Sequence, residues 1–130
     1  MSNREQIRTE GAPAALGPYS QGIRSGDLVF TAGQLGLDPS SGEFAAIDVA
    51  GQAERALRNV GAILDAAGSG LDRLVKVTVY LADIGDWPAV NEVYARLIPE
   101  PYPARSAFAV RDLPRGALVE IEAVGSVRAG

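Results

Sequence analysis

Arg105 stands in the run Pro103-Ala104-Arg105-Ser106-Ala107-Phe108, a cation set among small and apolar residues. A guanidinium is a planar fork that grips a carboxylate through two parallel hydrogen bonds. Neighbours as small as Ala104, Ser106 and Ala107 leave room for a ligand and let backbone N–H groups approach it. The plainer reading is an edge-strand arginine in a solvated salt bridge. Glu120 and Glu122 stand two residues apart, so on an extended segment they share a face. Toward water they are only a polar surface. Toward an enclosed site, either would have its pKa raised by desolvation and would serve as a general base or a group that positions water. Tyr19 follows the rigid Gly17-Pro18 turn and either walls a site or packs on the surface of the core. Asn91 lies four residues after Trp87 and shares its helical stripe, as a ligand-facing amide or a solvated one.

These residues carry weight because the usual agents are missing: the sequence holds no histidine and no cysteine. That excludes a Ser-His-Asp triad, a two-histidine nuclease, imidazole or thiolate metal ligands, disulfides and a cysteine nucleophile. Acid–base work falls to carboxylates, tyrosine, backbone groups or water. Lys76 is the one lysine, and its alternating surroundings read as a solvated strand face more readily than as a Schiff-base pocket. Gly68-Ser69-Gly70 follows a helical stretch instead of opening a helix after a strand, so it is no dinucleotide fingerprint, and a phosphate-loop lysine is absent. The carboxylates show no metal-ligand spacing, and no metal or cofactor is expected. A net charge of −4 and a pI near 4.8 argue against a nucleic-acid partner, whose phosphates must be neutralised. The first ten residues are charged, and no apolar run approaches the length of a membrane span. Neither an export signal nor a membrane partner is expected, and the cytoplasm is the default location.

The elements that must hold these groups follow from periodicity. The 130 residues, 47% of them hydrophobic, fit one domain over 1–130 with a core that needs no covalent staples. Short apolar pieces at 23–25 and 28–31 flank Gly26-Asp27 and read as a hairpin, and 38–42 is a second turn cluster. Val49, Ala53, Ala56, Leu57, Val60, Leu64 and Ala67 recur at steps of three and four, which predicts an amphipathic helix over 48–67 with Asp48 as N-cap and Gly68 as its stop. Residues 74–81 alternate, with Val75, Val77, Val79 and Leu81 on the buried face. A second helix over 87–98 begins after Asp86 and ends at Pro99, and strands are expected at 104–110 and 118–127. This order predicts a mixed α+β sheet with both helices on one side. The other side is left uncovered and invites a partner, so an oligomer is expected. The register between the last two strands decides whether Arg105 faces Glu120 in one cleft or pairs with Glu122.

The stretches 12–21, Thr31-Ala32-Gly33-Gln34, 38–43, 76–81, Val90-Asn91-Glu92-Val93-Tyr94, Pro103-Ala104-Arg105-Ser106 and Val119-Glu120-Ile121-Glu122-Ala123 resemble, in order along nearly the whole chain, the RidA (YjgF) family of reactive-intermediate imine deaminases. The resemblance implies a chorismate-mutase-like α+β fold assembled as a homotrimer with active sites at the subunit interfaces. It also implies hydrolysis of 2-imino acids or their enamine tautomers, such as 2-iminobutanoate and 2-iminopropanoate, to 2-oxo acids and ammonia, without cofactor or metal. By position Arg105 matches the family's carboxylate-binding arginine and Glu120 the glutamate that positions the attacking water. Tyr19 and Asn91 match residues lining the cleft, the backbone N–H of Ala107 would complete the carboxylate clamp, and Thr31 and Gly33 fall among the substrate-contacting positions. Many members carry cysteine where this chain has Ala107 and serine where it has Ala32, so a thiol and one hydroxyl contact are lost. Three other readings stand beside this one: a non-catalytic trimeric binder of small carboxylates, a deaminase specialised for a pyrimidine or aromatic catabolic intermediate, and a ribonuclease. The acidity and the lack of histidine count against the last.

Overall fold

The computed structural model describes residues 3–129. In chain order the elements are β1 (Arg4–Ile7), β2 (Gly22–Ser25), β3 (Leu28–Thr31), β4 (Gln34–Leu35), α1 (Val49–Ala66), β5 (Leu74–Leu81), α2 (Trp87–Leu97), β6 (Ala104–Ala109) and β7 (Val119–Ser126). The strands form one sheet in the order β1-β2-β3-β7-β5-β6, with β4 also paired to β7. Only β5 and β6 run parallel. A parallel pair needs a crossover of a dozen or more residues, and α2 supplies it. The result is a mixed α+β sheet with two helices, as expected.

One apolar layer fills the space between sheet and helices. Leu57, Val60, Ile63 and Leu64 of α1 and Val90 of α2 are sealed from water against Val29, Val77, Val79, Leu81, Val119 and Ile121. Burial alternates strictly along β7, which leaves Glu120 and Glu122 on the side away from the helices. Helix α1 ends as its sequence predicts. Gly68 takes φ of 84°, its N–H reaches the Asp65 carbonyl, and Ser69 N–H reaches Leu64, the paired bonds of a Schellman stop. Among the described residues no helix is long and apolar enough to cross a membrane.

The expectations fail at several places for local reasons. Asp48 sits at the N-cap of α1 but its side chain accepts no bond from the first turn, and the same holds for Asp86 before α2. Asp83 does that work instead, accepting Gly85 N–H at the head of the 3-10 turn Ile84–Asp86 that feeds α2. Val75 is not on the buried face. Leu74 pairs with Gly125 and Lys76 with Val124, so Val75 is the extra residue of a β-bulge and faces solvent. Strand β1 carries no signal in the sequence: its only buried side chain is Ile7, too little for a period of two. Finally, the last two strands in the chain are not neighbours, because β5 lies between β6 and β7.

Candidate active site

Arg105 is on β6, the edge strand of the sheet. Its register partner is Val77, a core residue, so the side chain leaves the sheet on the helix side and crosses α2. There the guanidinium carbon lies 4.5 Å from the ring centre of Trp87 and 4.7 Å from that of Tyr94, and Nη1 donates to Asn91 Oδ1 at 2.8 Å. Trp87, Asn91 and Tyr94 fall at i, i+4 and i+7 of the helix, one stripe. The partners of this cation are two ring faces and an amide oxygen. Among the described residues no carboxylate pairs with it, so the solvated salt bridge is not the role it plays within this chain. With Nη1 engaged, the Nε–Nη2 edge remains as a two-donor fork. Arg105 also lines a recess of about 420 Å³ together with Asn91, Tyr94, Tyr102 and Pro103.

The strand itself adds donors. Val110 N–H bonds the Leu81 carbonyl, so by alternation the even-numbered residues of β6 turn their N–H groups toward β5, and those of Arg105 and Ala107 face outward from the open edge. The small side chain of Ala107 leaves its N–H approachable.

Glu120 belongs to a different recess. Its register partner is Tyr80, on the face without helices, and it lies with Tyr19, Gly33, Leu16 and Arg115 around a space of about 470 Å³. Burial lifts its carboxyl above the ordinary carboxylate value, and the Glu122 carboxylate pushes the same way. Tyr80, cross-strand from Glu120, has its phenol raised by burial and by both carboxylates. Gly33 is the seat of Glu120: a Cβ there would fall 2.0 Å from Glu120 Oε2, so only glycine leaves the carboxylate where it is. Thr31 serves the sheet, its hydroxyl accepting Ala123 N–H at 3.1 Å where β3 parts from β7. Lys76, half-buried on the open face, donates to Ser106 Oγ.

The Tyr19 segment is held by Gln21. This buried amide accepts Thr9 N–H and donates to the carbonyls of Thr9, Ala12 and Pro13, which fixes the strand-less stretch 9–13 against the start of β2. Tyr19 and Leu16 project outward from it, Leu16 with 92% of its surface exposed.

Arg105 and Glu120 therefore do not meet within one chain. They leave opposite faces of the sheet, two strands apart and three register positions along, so their Cα atoms are separated by about 14 Å from standard strand spacings. The question of Glu120 or Glu122 as an in-chain partner of Arg105 is answered by neither. Asn91 joins Arg105, whereas Tyr19 and Gly33 join Glu120. Trp87 and Tyr94 read from the sequence only as the apolar face of α2. The signal that marks them is the polar Asn91 set between two aromatic rings on one stripe.

The family described as Endoribonuclease L-PSP matches residues 9–127. RutC family protein y4sK of Sinorhizobium fredii is 51% identical over 123 residues, which cover 95% of this chain and 98% of that protein. Human 2-iminobutanoate/2-iminopropanoate deaminase is 47% identical over 121 residues, 93% of this chain and 88% of its own. Among solved structures, E. coli TdcF with bound serine is similar with a TM-score of 0.89 at 42% identity, covering 96% of this chain and 99% of that one.

Proposed function

Since the chain belongs to the RidA (YjgF) family, we propose that it hydrolyses reactive 2-imino acids, 2-iminobutanoate and 2-iminopropanoate among them, to 2-oxo acids and ammonia. In this reading it works as a homotrimer of the chorismate-mutase-like kind, in clefts between copies. The observation that carries the reading is the pair of half-sites. One holds an arginine fork with no carboxylate partner, the other a carboxylate whose pKa is raised by burial, and they lie on opposite faces of the sheet. A neighbouring copy would let the Arg105 edge of one chain meet the Tyr19–Glu120 face of the next. The exposed Leu16 and Tyr19 beside Glu120, and the exposed Phe30 and Phe108 on the helix-free face, are the apolar surface such an assembly would cover.

The chemistry asks little of the protein. A protonated imine is already an electrophile, so catalysis reduces to holding the substrate and placing one water. The Nε–Nη2 edge of Arg105 and the Ala107 N–H hold the carboxylate. Glu120 orients the water over the imine carbon and takes its proton as the C–O bond forms. Glu120 then returns this proton to the amino group of the tetrahedral intermediate, the C–N bond breaks as the hydroxyl oxygen forms the C=O, ammonia leaves, the hydroxyl proton passes to solvent, and the 2-oxo acid remains. Each step uses a carboxylate, a guanidinium or a backbone N–H, and none calls for an imidazole. The ribonuclease wording of the family description fits this chain less well, since Glu120 in the recess and Glu122 on the same face of β7 would repel a phosphate backbone.

The test generates iminopropanoate from alanine with an amino-acid oxidase in the presence of semicarbazide. The protein is expected to lower the semicarbazone formed in proportion to its concentration, and to run in solution at about 40 kDa, three times the 13.5 kDa chain. Semicarbazone formation unchanged by the protein would overturn the reading, and a 13.5 kDa species would remove the cleft it depends on.

A further inference from the structure

We infer that Trp87 is a positioning residue for Arg105: its ring face, with that of Tyr94 and the amide oxygen of Asn91, holds the guanidinium so that its free edge is presented to a carboxylate. The inference rests on the carboxylate-binding role proposed above for Arg105. It begins from a conflict. Arg105 is exposed on an edge strand, where an arginine ordinarily samples many rotamers, yet a clamp gains from a fork that is already in place. The structure answers with three contacts, all from one stripe of α2, at 4.5 Å, 4.7 Å and 2.8 Å. None of the three is anionic, so each steadies the cation without competing with the ligand for its charge.

The two rings have different supports. Tyr94 is 2% exposed and packs in the core with its hydroxyl buried, and Arg105 lies over its ring face. Trp87 is only half-buried and stands at the first position of α2. It packs on the edge of the core, so its removal is tolerated by the fold while its ring face is lost to Arg105. It is also the only tryptophan in the chain, which makes the contact optically readable.

The experiment has a ligand-free arm and a ligand arm. In the ligand-free protein the Arg105 Nε–Hε signal, assigned by its disappearance in Arg105→Ala, is expected upfield of free arginine because of the ring currents of Trp87 and Tyr94, and shifted toward the free-arginine position in Trp87→Leu, where only the Tyr94 ring remains. In the ligand arm, Trp87→Leu is expected to raise KM for iminopropanoate and Kd for 2-oxobutanoate about 3- to 30-fold with kcat within about twofold. Trp87→Phe restores both, and 2-oxobutanoate changes the Trp87 emission in wild type but not in Arg105→Ala. A free-arginine signal in the wild type overturns the inference whatever the substrates do. Wild-type KM and Kd in Trp87→Leu overturn it as well, even with the ring contact intact. If the contact is present but the wild type neither binds 2-oxobutanoate nor hydrolyses the imine, the proposed function falls, and the positioning role falls with it.

Discussion

Arg105→Ala lowers kcat/KM for 2-iminopropanoate by about 10²- to 10⁴-fold while leaving thermal stability within about 1 kcal/mol of wild type. The activity figure follows from losing two charge-assisted hydrogen bonds to a carboxylate, each about 1.5–3 kcal/mol, at about 1.4 kcal/mol per tenfold. The stability figure follows from the exposed edge position of Arg105 and its lack of an ion pair, features whose removal costs a fold little. Arg105→Lys keeps the charge but loses the planar fork and the ring contacts, and recovers less than about a tenfold part of the loss. Steady-state kinetics against the semicarbazide trap, beside a thermal melt of each variant, checks all of it. A variant as active as wild type would show that the guanidinium does not hold the substrate.

Glu120→Gln leaves the shape of the recess and removes the base, and kcat falls about 10²- to 10⁴-fold. Because burial and Glu122 raise the Glu120 pKa, wild-type activity declines on the acid side at a pH above the ordinary glutamate value, and this limb is absent from the residual activity of the variant. The effect on stability has the opposite sign. A carboxyl whose folded pKa lies above its unfolded value contributes stability that is fully present below the unfolded pKa and is lost as pH rises through the folded one. Near neutral pH wild type therefore bears an ionised, partly buried carboxylate that the glutamine variant does not. Glu120→Gln is expected to melt at or above the wild-type temperature at pH 7, with the gap closing as pH falls below the unfolded value. A variant that is both inactive and clearly destabilised at pH 7 would point to a structural role for the carboxylate instead.

The residues of the candidate site were easier to read than their arrangement. Arg105 and Glu120 stood out because polar groups interrupt runs of small or apolar residues in a chain without histidine. The period of 3.6 placed α1, and Gly68 marked its stop, because these signals are local. Strand β1 escaped notice since Arg4, Glu5 and Gln6 are polar on both faces, and β4 is too short to show any period. Val75 was misplaced because a bulge depends on the partner strand and leaves an unbroken alternation in the sequence. The largest miss is of the same kind. Chain order puts β6 next to β7, but the α2 crossover delivers β6 to the far side of β5, which sets Arg105 and Glu120 two strands apart, and the register pairs Arg105 with Val77 and Glu120 with Tyr80, on opposite faces. Trp87 and Tyr94 illustrate a different limit: one apolar stripe serves the core and the guanidinium together, and periodicity reports only the first.

The opposite-face arrangement also has a genetic consequence. If every site takes Arg105 from one copy and Glu120 from the next, Arg105→Ala and Glu120→Gln chains are each strongly impaired alone but complement each other when co-assembled. In any mixed ring of three, one junction joins an intact Arg105 to an intact Glu120 and another collects both lesions. Random mixing at equal amounts then yields about a quarter of the wild-type number of competent sites. Two defective alleles of one gene would thus restore part of the activity together, an intragenic complementation set by which side of a sheet each side chain leaves.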